Sequence, residues 1–207
     1  MTRHPTPFKL ISFLLSALLA VPVLAQSPKE TVSPAPDTSA PTGTLHYPSG
    51  VVQRQIEQSR SRRTERSYYP SGVMQRELVW AMNGSQHVLE RLAEFASSGV
   101  MLREKRWANG EPVSDLEFSV SGMRISSKQY SGMGPTRELL VQDYFASGVL
   151  ASEQRFAAPI GKKPFPIGVQ KTFDTSGQPL TEKTFDEQGR LLEEKIRNAA
   201  GELAPVK

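Results

Sequence analysis

The chain has 207 residues, 38% hydrophobic and 22% charged, which suits one or two folded domains and excludes disorder throughout. It has no cysteine, so thiol catalysis, thiolate metal sites, disulfides and lipid-modified cysteine are all excluded, and its three histidines, His4, His46 and His87, are too few for a histidine-rich metal centre. The formal charge of +4 is modest and shows no basic stripe of the kind that reads nucleic acid.

The chain opens with a short polar stretch carrying Arg3 and Lys9, followed by an apolar run from Leu10 to Leu24. A membrane span needs about 20 apolar residues, and this run is shorter. It closes on Val23-Leu24-Ala25, small or apolar residues of the kind read by a signal peptidase. Residues 1–25 therefore read as a secretory signal cleaved after Ala25, which predicts a periplasmic or secreted protein. Without Arg3 and Lys9 the formal charge falls to about +2, so much of the basicity belongs to the export signal. Pro28, Pro34, Pro36 and Pro41 then stand among Ser, Thr and Ala, a composition that stays extended and solvated. Residues 26–44 read as a linker and 45–207 as the folded domain.

That domain repeats itself. Ser-Gly recurs at Gly50, Gly72, Gly99, Gly122, Gly148 and Gly177, and Ala200-Gly201 continues the series with a period of about 25 residues. A second series, Gly84, Gly110, Gly134, Gly161 and Gly189, falls midway; in the first interval the segment SRSRR stands in its place. A turn every 12 residues or so leaves about 7 or 8 for each strand, a normal length. Tyr68, Phe95, Phe118, Tyr144 and Phe173 stand four residues before the first series. Trp80, Trp107, Tyr130, Phe156 and Phe185 precede the second. Counted from Gly72, Gly99 or Gly148, the residues at +2 and +8 share parity, while Glu77, Glu104 and Glu153 at +5 have the other. Strict alternation thus predicts an aromatic and aliphatic face and an opposite carboxylate face. The fold expected is all-β, an elongated, twisted antiparallel meander of about 11 to 14 strands. HVLERLAE (87–94) and LLEEKIRNA (191–199) could form short helices, but they lie in register with the ladder and read as strands.

The unit aromatic-x-x-x-Gly-x-Leu-x-x-Glu-x-x-aromatic, seen as YYPSGVMQRELVW from Tyr68 and YFASGVLASEQRF from Tyr144, resembles the MORN-variant repeat of YwqK-family antitoxins. About six such units cover residues 46 to 201. Leu78, Lys105, Gln154 and Lys183 stand where that family commonly has Gly. The resemblance implies a non-catalytic binding protein that occludes a partner toxin. Envelope- or membrane-surface docking to anionic lipid or protein is the alternative it leaves open.

No catalytic residue, metal ligand or cofactor site is expected. His46 and His87 lie in different repeats, and His46 fills the aromatic slot of its own. The Glu row reads as cross-strand ion pairing, and a serine at every turn reads as turn chemistry. Gly72, Trp80, Gly99, Trp107, Gly148, Phe156, Gly177, Phe185 and Gly189 are the structural positions of the repeat. Two segments depart from it and are the candidate partner-binding sites. One is RQIEQSRSRRTER, a hairpin tip without its glycine, carrying Arg60, Arg62, Arg63 and Arg66. The other is PIGKKPFPIG, with Lys162, Lys163 and Phe165 beside prolines that limit the ordering cost of binding. Both are expected to lie off the ladder.

Overall fold

The computed structural model describes residues 41–83 and 86–206. The signal segment and most of the linker, together with Gly84 of the second glycine series, lie outside the described residues.

Fifteen strands run in chain order. The first five are β1 (Gly43–His46), β2 (Val52–Gln58), β3 (Arg62–Tyr68), β4 (Met74–Asn83) and β5 (Gln86–Phe95). The next five are β6 (Met101–Ala108), β7 (Glu111–Phe118), β8 (Arg124–Ser131), β9 (Glu138–Tyr144) and β10 (Leu150–Ala157). The last five are β11 (Phe165–Pro166), β12 (Gly168–Phe173), β13 (Pro179–Phe185), β14 (Leu191–Arg197) and β15 (Leu203–Pro205). All belong to one open antiparallel sheet in which each strand pairs with its sequence neighbours; two-residue β11 pairs with β10 beside β12. This is the expected meander, with one strand more than the upper expectation. The sheet begins at Gly43, inside the stretch read as linker. Residues 87–94 and 191–197 are strand, as their register required. The only helical element among the described residues is the 3-10 turn Gly134–Thr136.

The Ser-Gly period has a backbone cause. In the turn after β3, the Tyr69 amide donates to the Val73 carbonyl and the Gly72 amide to the Tyr69 carbonyl, both at 2.8 Å. This is a three-residue loop that closes on a left-handed residue. Gly72 has φ +84°, and the six Ser-Gly glycines span only +82° to +87°. A residue with a Cβ is strained in that region, so glycine recurs. The side-chain acceptor that ties down these turns is the first loop residue, a serine in one case: Ser119 Oγ accepts the Met123 amide at 3.1 Å. Asp174 Oδ1 accepts the amides of Ser176 and Gln178, both at 2.9 Å, and Asn198 Oδ1 accepts those of Ala200 and Glu202. Successive loops from Gly50 to Gly177 also touch, with Val51 on Gly72, Val73 on Gly99, Val100 on Gly122 and Val149 on Gly177.

The simple alternation of faces needs correcting. One step out of each Ser-Gly loop the outgoing strand carries an extra residue. Tyr68 pairs with Met74 but Ser67 pairs with Arg76, leaving Gln75 as a bulge. Leu102, Ile125, Ala151 and Leu180 occupy the same place in later hairpins. A bulge adds one residue to the count and reverses parity beyond it. Positions +2 and +8 therefore lie on opposite faces. Met74 and Tyr68 share the face of Glu77, because Tyr68 is two residues from Arg66, the partner of Glu77. Phe95, Phe118, Tyr144 and Phe173 follow Tyr68 onto that face. Trp80, Trp107 and Phe156 occupy the other. Each face thus carries aromatics as well as charge.

Full burial is confined to few side chains. Ile56, Trp80, Ala93, Leu139 and Ala158 are the buried apolar residues among those described. A repeat sheet of this kind is held by contacts between neighbouring hairpins more than by one central core. Trp80, 2% exposed and paired with Arg63, is a fixed packing element. Trp107 is only half-buried.

Candidate functional site

The antiparallel path puts alternate turns on opposite rims. Every first-series glycine loop falls on one rim, and these loops are nearly identical. The other rim collects the irregular turns, both candidate segments among them, beside one regular loop, 186–190, closed by the same two backbone hydrogen bonds as the first series.

The arginine segment is β2, its tip at Ser59–Ser61, and β3. The Ser59 amide donates to the Arg62 carbonyl at 2.8 Å, which closes the hairpin without a glycine. The four arginines do not form one patch. Arg60 is exposed at the tip. Arg62 is in β3 with an exposed side chain and pairs with Glu90 at 3.3 Å. Arg63 is 1% exposed, on the face of Trp80, and donates to Gln58 Oε1 at 3.0 Å. Arg66 points to the opposite face and pairs with Glu57 and Glu77, each at 3.0 Å. The expectation that these residues lie off the ladder is corrected: Arg62, Arg63 and Arg66 are ladder positions, and alternation divides them between two faces.

Arg66 belongs to an ion-pair chain on the carboxylate face of β2 to β6. It runs from Glu57 through Arg66, Glu77, Arg91 and Glu104 to Arg106. Ala93 makes it continuous. It pairs with both Glu77 and Glu104 and has no long side chain, so Arg91, two residues away, reaches over it to both carboxylates. Burial alone would raise the Glu104 carboxyl, but hydrogen bonds from Arg106 and Arg91 outweigh it and hold its pKa below the ordinary value. Asp115 on the other face follows the same logic: burial opposes, while Arg103 at 2.8 Å and Lys105 at 3.0 Å prevail and lower it. Glu77 and Glu104 are thus in cross-strand ion pairs as expected, as is Glu182 with Lys171 and Lys195, whereas Glu153 accepts from the neutral Gln142 at 2.8 Å.

The second segment sits beside the loop between β8 and β9. Lys162 and Lys163 are exposed, as is Ile160 at 51%. Phe165 is half-buried in β11, opposite Ala157 and close against Gly189, so it too is on the ladder. The neighbouring loop presents Met133, 86% exposed. Arg137 ties these loops together, and the sequence reading did not single it out. Its guanidinium is 4.2 Å from the centre of the Tyr130 ring, pairs with Glu111 at 3.2 Å and donates to the Pro112 carbonyl. Its own carbonyl accepts the Ala158 amide at 2.8 Å. Its only sequence signal was its place two residues after the Gly-x-Gly-Pro stretch 132–135 that broke the repeat.

Among the described residues no group of His, Asp or Glu is arranged to hold a metal ion. No family model matches this chain, and no curated protein matches it.

Proposed function

We propose that this chain is an exported, non-catalytic binding module that recognises a protein partner through its irregular rim. The partner implied by the MORN-variant resemblance is a toxin, which bound protein would occlude. The observation that carries the reading is the asymmetry of the rims. One repeats a single loop whose residues answer to backbone geometry. The other holds Met133, Ile160, Lys162 and Lys163 exposed on two adjoining loops braced by Arg137. Apolar tips among cations on pre-ordered loops suit recognition, since little freedom is lost on contact.

The test is a capture experiment from envelope extract with the immobilised full chain. Wild type and the uniform-rim variant Val120→Ser should retain the same partner. Ile160→Ser with Lys162→Glu and Lys163→Glu should lose it. Equal capture by all three would overturn the reading. The pairing of Ile160 with two lysines also favours a second reading, a scaffold on an anionic envelope surface. In that case the same triple variant loses flotation with anionic vesicles, and wild-type flotation weakens with salt.

A further inference from the structure

The geometry points to a second binding site, a groove on the carboxylate face of β3 to β7 that takes an acidic extended peptide segment of a partner protein. The groove has a volume of about 540 Å³. Its lining runs from β3 to β7, four strand spacings of about 4.8 Å, so it is about 19 Å long and accommodates roughly six extended residues. Four guanidiniums line it, Arg62, Arg66, Arg91 and Arg106, against the two carboxylates Glu77 and Glu90. Cations thus outnumber anions along the lining itself, while Glu57 and Glu104 pair with Arg66, Arg91 and Arg106 from beyond it. Val79, Ala108 and Val113 supply apolar surface between the cations.

Two features single this groove out from the rest of the ladder. Arg91 and Arg106 are direct cross-strand partners. Like charges so placed repel, and here one carboxylate oxygen, Glu104 Oε1, receives a hydrogen bond from each, at 2.8 and 3.0 Å. A second anion above the pair would relieve the same repulsion. The cations nearest solvent are also the least committed. Arg62 and Arg106 side chains are 63% and 58% exposed, and the ion pair of Arg62 with Glu90 is itself solvated. Exposed pairs of this kind are weak. A guanidinium has five donors in a planar fork, so Arg62 and Arg106 retain donors for an incoming carboxylate. A peptide alternating acidic and apolar side chains would set its carboxylates on these two forks. Its apolar groups would meet Val79, Ala108 and Val113.

The site lies on strands and is separate from the loops after β8 and β10, so each can fail alone. The experiment is fluorescence anisotropy of the full chain with labelled Glu-Val-Glu-Val-Glu-Val, and with its Gln-Val and Lys-Val counterparts. The acidic peptide should bind in low salt, with the other two roughly tenfold weaker or more. Arg62→Gln with Arg106→Gln should weaken it by a similar factor, with an unchanged circular dichroism spectrum. Arg62→Lys with Arg106→Lys keeps the charge but removes the fork and should give an intermediate loss. Lys162→Glu with Lys163→Glu should leave peptide binding intact. Absence of acidic-peptide binding would overturn the proposal, as would binding that survives the double Gln change. So would an arginine-dependent affinity for anionic vesicles with none for the peptide.

Discussion

The two rims of the sheet are made by one chain with one period, yet they obey different constraints. On the Ser-Gly rim each loop has the same length, the same two backbone hydrogen bonds and a glycine within 5° of the others in φ. Such a loop fixes the pairing of its two strands, and the neighbouring loops pack on one another. On the opposite rim the turns vary. One is a short tip without glycine, one is Asn109-Gly110 with both residues at positive φ, one holds a 3-10 turn, one spans 158–164, and only the last, 186–190, repeats the loop of the Ser-Gly rim, with Gly189 at φ +81°. Once one rim sets the register of each hairpin, the other has only to close the chain. The lesson is that repetition marks where backbone geometry dictates residues, and departure from it marks where something else can.

The widest effect should come from the sheet body between the rims. Trp80→Ala removes a buried aromatic and should cost about 3–5 kcal/mol in chemical denaturation, whereas Trp107→Ala, half-buried in the next repeat, should cost less. Equal losses would mean that the repeats pack alike and the rims alone differ. On the uniform rim, Gly99→Val forces a β-branched residue to φ +87° and should cost about 1–3 kcal/mol. A neutral result there would break the claim that this rim is dictated by backbone conformation.

Acid should probe the ion-pair chain that joins β2 to β6 and, on the opposite face, the pairs of Asp115 with Arg103 and Lys105. Glu104 and Asp115 have folded pKa values below their ordinary 4.5 and 3.8. Groups lowered on folding contribute fully above the ordinary values, and that contribution is lost as pH falls through the lowered ones. Thermal stability should therefore be flat from neutral pH down to about 5 and fall below about 4. Glu104→Gln should lower it by about 2 kcal/mol at pH 7 and make the acid limb shallower. An unchanged acid limb would show that the chain of pairs adds nothing. Smallest of all should be Lys162→Glu with Lys163→Glu on the irregular rim, within about 0.5 kcal/mol of wild type, because both side chains are exposed. A large loss would make that loop part of the fold.

Much of this architecture was legible before any coordinates. The glycine spacing gave strands, turns and their count to within one, and the Glu row gave the cross-strand pairing. What parity missed was the bulge at Gln75 and its equivalents. Nothing in a Gln, Leu, Ile or Ala announces an unpaired residue, since the bulge arises from how the loop returns to the ladder. The same blindness affected the arginines. A run of like residues reads as a patch, but on a strand neighbours point apart. Arg63 is accordingly buried beside Trp80, while Arg66 joins the ion-pair chain. Arg137 was missed because its partners Glu111 and Pro112 stand at the start of β7, more than 20 residues away in sequence.

The central claim, that the irregular rim is the recognition surface and the uniform rim is not, is most directly tested by hydrogen exchange of the full chain with and without its captured partner. Protection gained in 131–137 and 158–167, with the Ser-Gly loops unchanged, is the result the account predicts. Protection gained along the Ser-Gly loops, with 131–167 unaffected, would contradict it.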